Sequence, residues 1–326
     1  MSKEDFYDLT PDEVMHALET AGFSPTGQFI QLNSYENRVF DVYLEQGSSE
    51  ASRVIVKFYR PGRWSEPSIL EEHQFIDDLA QAGLPVIAPQ RLKNGRTVMS
   101  SPQSIWFAAF PRALARMVDE FQMPDFYRLG RTLARMHNVG GTHPAPHRPV
   151  LSVETYGDHS LKFLQNWIHP DLKKRYSESA QLILDKLRAP LGSAKKYRIH
   201  GDCHRGNILK TDHKDRPSEF FFVDFDDCCT GPAVQDFWML LSEPENSPVG
   251  ADELQSILNG YKELRHFDDR ELLLIPGLRG LRIIHYSAWV AHRWEDPSFP
   301  NLFPQFLEFD HWLSETRALE ELARQV

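Results

Sequence analysis

The chain has 326 residues, 41% of them apolar, 25% charged and 12% aromatic. That is enough apolar material for one or two buried cores, and it excludes a disordered, collagen-like or disulfide-stapled chain. The formal net charge of −10 gives no electrostatic basis for broad binding to nucleic acid or to an anionic membrane, although it permits a local phosphate site.

Met-Ser-Lys-Glu-Asp-Phe at the N-terminus has no basic segment leading into an apolar one, so no signal peptide is expected. No apolar run approaches the roughly 18 residues of a bilayer span. Three cysteines, Cys203, Cys228 and Cys229, are too few and too close to form a disulfide framework. Reduced thiols and a cytoplasmic location are expected. No heptad seam is readable, so a monomer is expected, with no nucleic-acid or membrane partner.

In chain order, a short helix is predicted over 10–22, with Thr10 as N-cap, Pro11 in the first turn and Gly22 at its end. Residues 29–44 alternate and are rich in β-branched and aromatic side chains. Gln46–Glu50 is turn chemistry, and 53–59 is the next strand. A helix over 66–82 ends at Gly83. Further strands are predicted over 86–89, 97–100 and 104–110. Residues 29–110 thus read as an antiparallel sheet with one inserted helix. Beyond Pro111 the pattern becomes helical: 125–139, then a Pro-rich loop over 140–150, then helices over 171–188, 233–242, 251–264, 271–294 and 304–324, with Pro276 and Gly277 predicted to break the fourth. One β island, 197–227, interrupts them. The expected fold is α+β and bilobal, with a small antiparallel β lobe over 1–110 and a larger mainly α lobe over 111–326. Such chains often carry their site in the crevice between lobes.

The densest polar cluster is His200-Gly-Asp-Cys-His-Arg-Gly-Asn207, followed by Phe220-Phe-Phe-Val-Asp224-Phe-Asp-Asp227. A hairpin through Lys210–Glu219 is predicted to bring Asp202, Asn207 and Asp224 to one end of one small sheet. This set suits phosphoryl transfer. Mg²⁺ takes hard oxygen ligands, which Asp224 and the Asn207 side-chain carbonyl can supply. Asp202, five residues before Asn207, has the spacing of a catalytic-loop D-x-x-x-x-N element, in which the carboxylate accepts the proton of the attacking hydroxyl. A lysine on a small-lobe strand, held by a helix carboxylate, completes such a site. Lys57 in Val54-Ile-Val-Lys57 fits, with Glu72 as its chosen partner and Glu71 as the alternative. Arg53, Lys57, Arg60 and Arg63 also form a stretch without a carboxylate, where an anionic nucleotide could be received. A His-x-Asp-x-His hydrolase metal set is a weaker reading, because it leaves Asn207 and Lys57 without a role.

The order Lys57, Glu72, Asp202, Asn207, Asp224 resembles the aminoglycoside phosphotransferase/choline kinase superfamily, a branch of the protein-kinase-like fold. Within it, the segments 33–40, 56–64, 69–75, 200–209 and 231–241 resemble the bacterial stress response kinase A family over about residues 10–315. The resemblance implies an ATP- and Mg²⁺-dependent serine/threonine protein kinase that also phosphorylates itself. It implies Asp202 as proton acceptor and Asp224 as a second catalytic residue, which with Asn207 binds Mg²⁺. Lys57, braced by Glu72, would hold the α/β-phosphates, and Ser34 would lie in the loop over the nucleotide. Asp236 would brace the catalytic loop. The chain departs from ordinary protein kinases in lacking G-x-G-x-x-G before Lys57 and A-P-E after Asp224, and in carrying Gly201 where many kinases have Arg. Two alternatives remain: a small-molecule alcohol kinase, with Tyr286, Trp289 and Trp294 as acceptor-site aromatics, and a non-catalytic nucleotide-binding module.

Overall fold

The computed structural model describes residues 6, 9–45, 52–113, 115–118, 120–211 and 219–326. The Gln46–Glu50 turn and most of the Lys210–Glu219 connector lie outside them. The chain divides into two compact units, one of residues up to Phe121 together with His204–Asp227, the other of Gln122–Cys203 and Cys228–Val326. The first boundary thus falls beyond residue 110, and a segment from the second half of the chain belongs to the first unit. The expected α+β class holds: one unit is built on an antiparallel sheet, the other mainly on helices.

In the first unit, helix α1 (Pro11–Ala21) starts with a reciprocal capping box between Thr10 and Glu13 and ends at Gly22 with φ +99°. Strands β1 (Pro25–Leu32), β2 (Arg38–Leu44) and β3 (Arg53–Phe58) follow, so the long alternating run 29–44 is a hairpin whose turn is 33–37. Helix α2 (Glu66–Gln81) is capped by Ser65. With β4 (Met99–Ser100) and β5 (Trp106–Pro111), the sheet order is β1-β2-β3-β5-β4, and neighbouring strands pair antiparallel. Val42, Val54, Val56, Phe58 and Phe107 bury one face against Val14, Ala17 and Leu18 of α1. The strand expected at 86–89 is instead a single bridge, Val86 to Phe222: Pro85 and Pro89 flank it and lack the N–H a ladder needs. A second, three-stranded sheet of order β6-β8-β9 joins Arg116–Met117 to Ile208–Lys210 and Phe220–Phe222, and this pairing is what ties His204–Asp227 to the first unit.

In the second unit, helix α3 (Met123–Gly140) packs on a later helix with its backbone nearly in contact, as described below. A short helix α4 (His159–Leu164), not expected from the sequence, follows a single π-type turn. Helix α5 (Lys173–Ser193) is longer than the 171–188 segment suggested. Strands β7 (Tyr197–Ile199) and β10 (Cys229–Gly231) pair antiparallel. This corrects the expectation that one small sheet carries Asp202, Asn207 and Asp224: Asp202 follows β7, whose partner is β10, whereas Asn207 and Asp224 flank the β8/β9 pair. Helices α6 (Val234–Trp238), α7 (Pro248–Lys262), α8 (Ile275–His292), α9 (Ser298–Leu302) and α10 (Phe309–Ala323) complete the unit. Pro276 and Gly277 do not break the fourth predicted helix. Pro276 sits in the first turn of α8, where its missing N–H costs nothing, and a 3₁₀ segment precedes it. All three cysteines are buried. Among the described residues, no helix is long and apolar enough to cross a membrane.

Candidate active site

Ser34, Lys57, Glu72, Asn207 and Asp224 all belong to the first unit, and Asp202 and Asp236 to the second.

Lys57 lies at the end of the central strand β3, opposite Val39 and Ala108. Apolar packing around the strand buries the ammonium, so it needs countercharge. Its Nζ lies 3.0 Å from Asp226 Oδ1, 3.4 Å from Glu72 Oε1 and 3.5 Å from Asp224 Oδ1. Burial alone would lower its pKa. Asp226 and then Glu72, with Tyr59 and Asp224, outweigh burial and hold it well above the ordinary lysine value. Helical phase decides between the two glutamates: Glu72 is buried and paired with Lys57, while Glu71 is only half-buried.

The remaining cations of the carboxylate-free stretch are not left open for a phosphate. Arg53 pairs with Asp41 at 2.5 Å. Arg60 reaches Glu36 at 3.1 Å. Arg63 reaches Asp226 at 2.6 Å, Asp227 at 2.5 Å and Glu36 at 3.2 Å. Sequence distance hid these partners. The same contacts shape the turn that carries Ser34: Ser34 Oγ accepts the Asn37 N–H at 3.3 Å, and Asn37 Oδ1 accepts the Arg60 N–H at 3.2 Å. Side chains thus order a turn that has no glycine triplet.

Asn207 closes a 3₁₀ turn whose cap is His204, with Nδ1 accepting the Gly206 N–H at 3.0 Å. His204 therefore serves the turn locally. The Val223 N–H donates to the Asn207 carbonyl at 3.0 Å, one step beyond the Ile208–Phe222 pair, so Asn207 and Asp224 stand at the same end of the β8/β9 ladder. Asp224 has φ +61°, an unusual backbone state for a residue other than glycine, and its side chain is 53% exposed. Phe225, next in sequence, is buried edge-on against Phe75 of α2. The strained turn thus buries the ring and presents the carboxylate. A carboxylate and an asparagine at one ladder end are oxygen-bearing residue types of the kind Mg²⁺ takes, with phosphates and water as its remaining ligands.

In the second unit, the loop after β7 turns at Gly201, with φ +82°. Asp236 of α6, fully buried, accepts the His200 N–H on Oδ2 and the Gly201 N–H on Oδ1, both at 2.9 Å. His137 Nε2 of α3 lies 3.1 Å from Asp236 Oδ2, and its Nδ1 lies 3.0 Å from the Tyr261 hydroxyl. Burial lowers the His137 pKa more than its hydrogen bond to Asp236 raises it. Gln235 adds a bond to the Gly201 carbonyl at 3.1 Å. Asp202, at the loop's tip, receives Arg282 Nη1 of α8 at 2.8 Å. Burial, with Asp236 and Asp202, pushes the Cys203 thiol well up, which opposes a redox thiolate. Sequence reasoning missed His137, Arg282 and the role of Asp226. His137 and Arg282 come from helices far along the chain, and no local motif marks them.

Residues 28–274 match the phosphotransferase enzyme family. The chain is 37% identical over 322 residues to stress response kinase A of Escherichia coli strain K12, covering 98% of this chain and 94% of that protein. The chain belongs to the stress response kinase A family of phosphotransferases. A further relative in it is the serine/threonine protein kinase RdoA of Salmonella typhimurium, 35% identical over 97% of this chain and 93% of that one. Among solved structures, amicoumacin kinase hAmiN, in complex with AMP-PNP, Ca²⁺ and Ami, superposes with a TM-score of 0.78 at 22% identity, covering 100% of this chain and 97% of that chain. Membership of the family makes the chain a kinase, and the likeness to hAmiN extends its fold to small-molecule kinases.

Proposed function

We propose that this kinase uses ATP and Mg²⁺ to phosphorylate serine and threonine hydroxyls of proteins, its own included, in a bacterial stress response in the cytoplasm. The observation that carries this reading is the near full-length likeness, at 35–37% identity, to relatives named stress response kinase A and serine/threonine protein kinase. The buried Lys57–Glu72 pair, the Asn207/Asp224 ladder end and the braced Asp202 loop supply the groups such a reaction needs.

In this mechanism Lys57, fixed by Glu72, meets the α- and β-phosphates, and the turn carrying Ser34 covers the nucleotide. Asn207 and Asp224 would hold Mg²⁺, which neutralises phosphate charge when bound. Asp202 orients the acceptor hydroxyl and takes its proton as the oxygen attacks the γ-phosphorus and the bond from that phosphorus to the β,γ-bridging oxygen breaks, releasing ADP. Asp236, through the Gly201 and His200 amides, keeps that loop in shape. Catalysis of this kind is positioning plus charge stabilisation.

A small-molecule alcohol kinase is the second reading, favoured by Tyr286, which is 43% exposed and stacked on Trp289 at 5.4 Å. Incubation with γ-labelled ATP and Mg²⁺, with a generic protein substrate and with a panel of small alcohols, separates the two. Label on protein serine or threonine supports the proposal. Label on a small alcohol alone overturns it.

A further inference from the structure

The segment Asp202-Cys-His-Arg-Gly-Asn207 contains no lysine, and its one arginine, Arg205, lies over the Phe121 ring at 5.5 Å. The cation on Asp202 comes instead from eighty residues along the chain. Arg282 Nη1 donates to Asp202 Oδ1 at 2.8 Å. The guanidinium also lies 6.0 Å from the Tyr286 ring centroid, one turn further along α8, so the side chain has two anchors. The arginine one turn earlier, Arg279, is matched to Glu245 at 2.8 Å and packs over Trp238.

The Arg282 and Asp202 side chains are 37% and 21% exposed. A pair that open to water contributes little to fold stability. Its value lies in geometry. A carboxylate that accepts a proton during transfer must stay ionised and must aim one oxygen at the acceptor hydroxyl. A guanidinium fixed on Oδ1 does both: it favours the charged form, and it sets the direction of Oδ2. Arginine suits this better than lysine, because its planar fork holds a carboxylate in one orientation and never loses its charge.

We propose that Arg282 is the positioning residue of the phosphoryl-transfer step, supplying from helix α8 the cation that orients the proton acceptor Asp202. The inference rests on the reading of Asp202 given above.

The test compares Arg282→Ala, Arg282→Lys and Arg282→Gln with Asp202→Asn in the full chain, and measures kcat, KM for ATP, Mg·ATP affinity and the pH dependence of kcat. With Arg282→Ala we expect kcat to fall about 100-fold, with Mg·ATP affinity within about threefold of wild type, since the groups assigned to the nucleotide lie in the other unit. The acidic limb of the pH profile moves to higher pH, because losing a neighbouring cation raises a carboxylate pKa. Asp236, which together with Asp202 acts on the neighbouring Cys203 thiol, is unchanged in the comparison. Added guanidinium ion restores part of the rate, and Arg282→Lys retains part of it. An Arg282→Ala enzyme as fast as wild type, beside an inactive Asp202→Asn, overturns this inference and leaves the Asp202 reading standing. An active Asp202→Asn overturns the reading itself. Equal loss in all three Arg282 variants, with no pH displacement and no rescue, marks a merely structural residue and also overturns the inference.

Discussion

Lys57 Nζ lies nearer to Asp226 Oδ1, at 3.0 Å, than to its helix partner Glu72, at 3.4 Å. The other oxygen of Asp226 holds Arg63 at 2.6 Å. One buried carboxylate therefore serves a buried lysine and a half-buried arginine on either side of the 59–62 loop. Removing its charge leaves both cations short of partners, which is costly in a buried network. Asp226→Asn is expected to lower stability by about 2–4 kcal/mol, read as a lower denaturant midpoint with an unchanged slope.

Asp224 is different, because its carboxylate is turned outward by a backbone at φ +61°. Asparagine tolerates that conformation and removes the charge without adding strain. Asp224→Asn should keep the thermal midpoint within about 2 °C but lose the Mg²⁺-dependent part of ATP binding, measured by titration calorimetry with and without the metal. Retained Mg²⁺ dependence would contradict the ligand role.

Helices α3 and α7 meet backbone to backbone through two glycines. A Cβ on Gly130 would stand 2.0 Å from the Ile257 carbonyl oxygen, and one on Gly260 would stand 2.0 Å from that of Tyr127. Neither oxygen belongs to a movable side chain. Gly130→Ala and Gly260→Ala should each cost about 3 kcal/mol or more, despite alanine's better helix propensity. The double variant should cost less than their sum, because separating the helices once relieves both clashes. Chemical denaturation measures all three.

Glu271 is buried and accepts the Val234 N–H at 3.4 Å, at the start of the helix that carries Asp236. Desolvation raises its pKa to about 7, with Asp268 adding to the rise and the Val234 and Ala233 amides opposing it. The unfolded chain ionises it near 4.5. Its contribution to stability is therefore complete below pH 4.5 and is lost as pH rises through about 7. Glu271→Gln should gain on the wild type by on the order of 1–3 kcal/mol between pH 5 and pH 8, read from unfolding curves at each pH.

Much of the candidate site was legible because its proposed groups fall in short segments. Asp202, Asn207 and Asp224 lie within 23 residues, and Lys57 and Glu72 sit on adjacent elements whose periods are easily read. What was hidden arrives from afar. Arg282, His137 and Tyr261 lie on long helices where their spacing looks like ordinary amphipathic pattern. The misassigned β island shows a second limit: three-residue strands carry too little periodicity to reveal that β7 pairs with β10 while β8 pairs with β6 and β9. Pro276 shows a third. Its effect depends on whether it falls inside a helix or in the first turn, and the preceding 3₁₀ segment alone decides that.

The central claim is that Asp202 performs the proton-accepting step of a phosphoryl transfer while other residues bind the nucleotide. A single-turnover assay with preformed γ-labelled ATP·Mg²⁺ complex, comparing wild type with Asp202→Asn, tests it most directly. The account predicts nucleotide affinity within about threefold and a transfer rate lower by about 10³-fold or more. Transfer within tenfold of wild type at equal occupancy would contradict it.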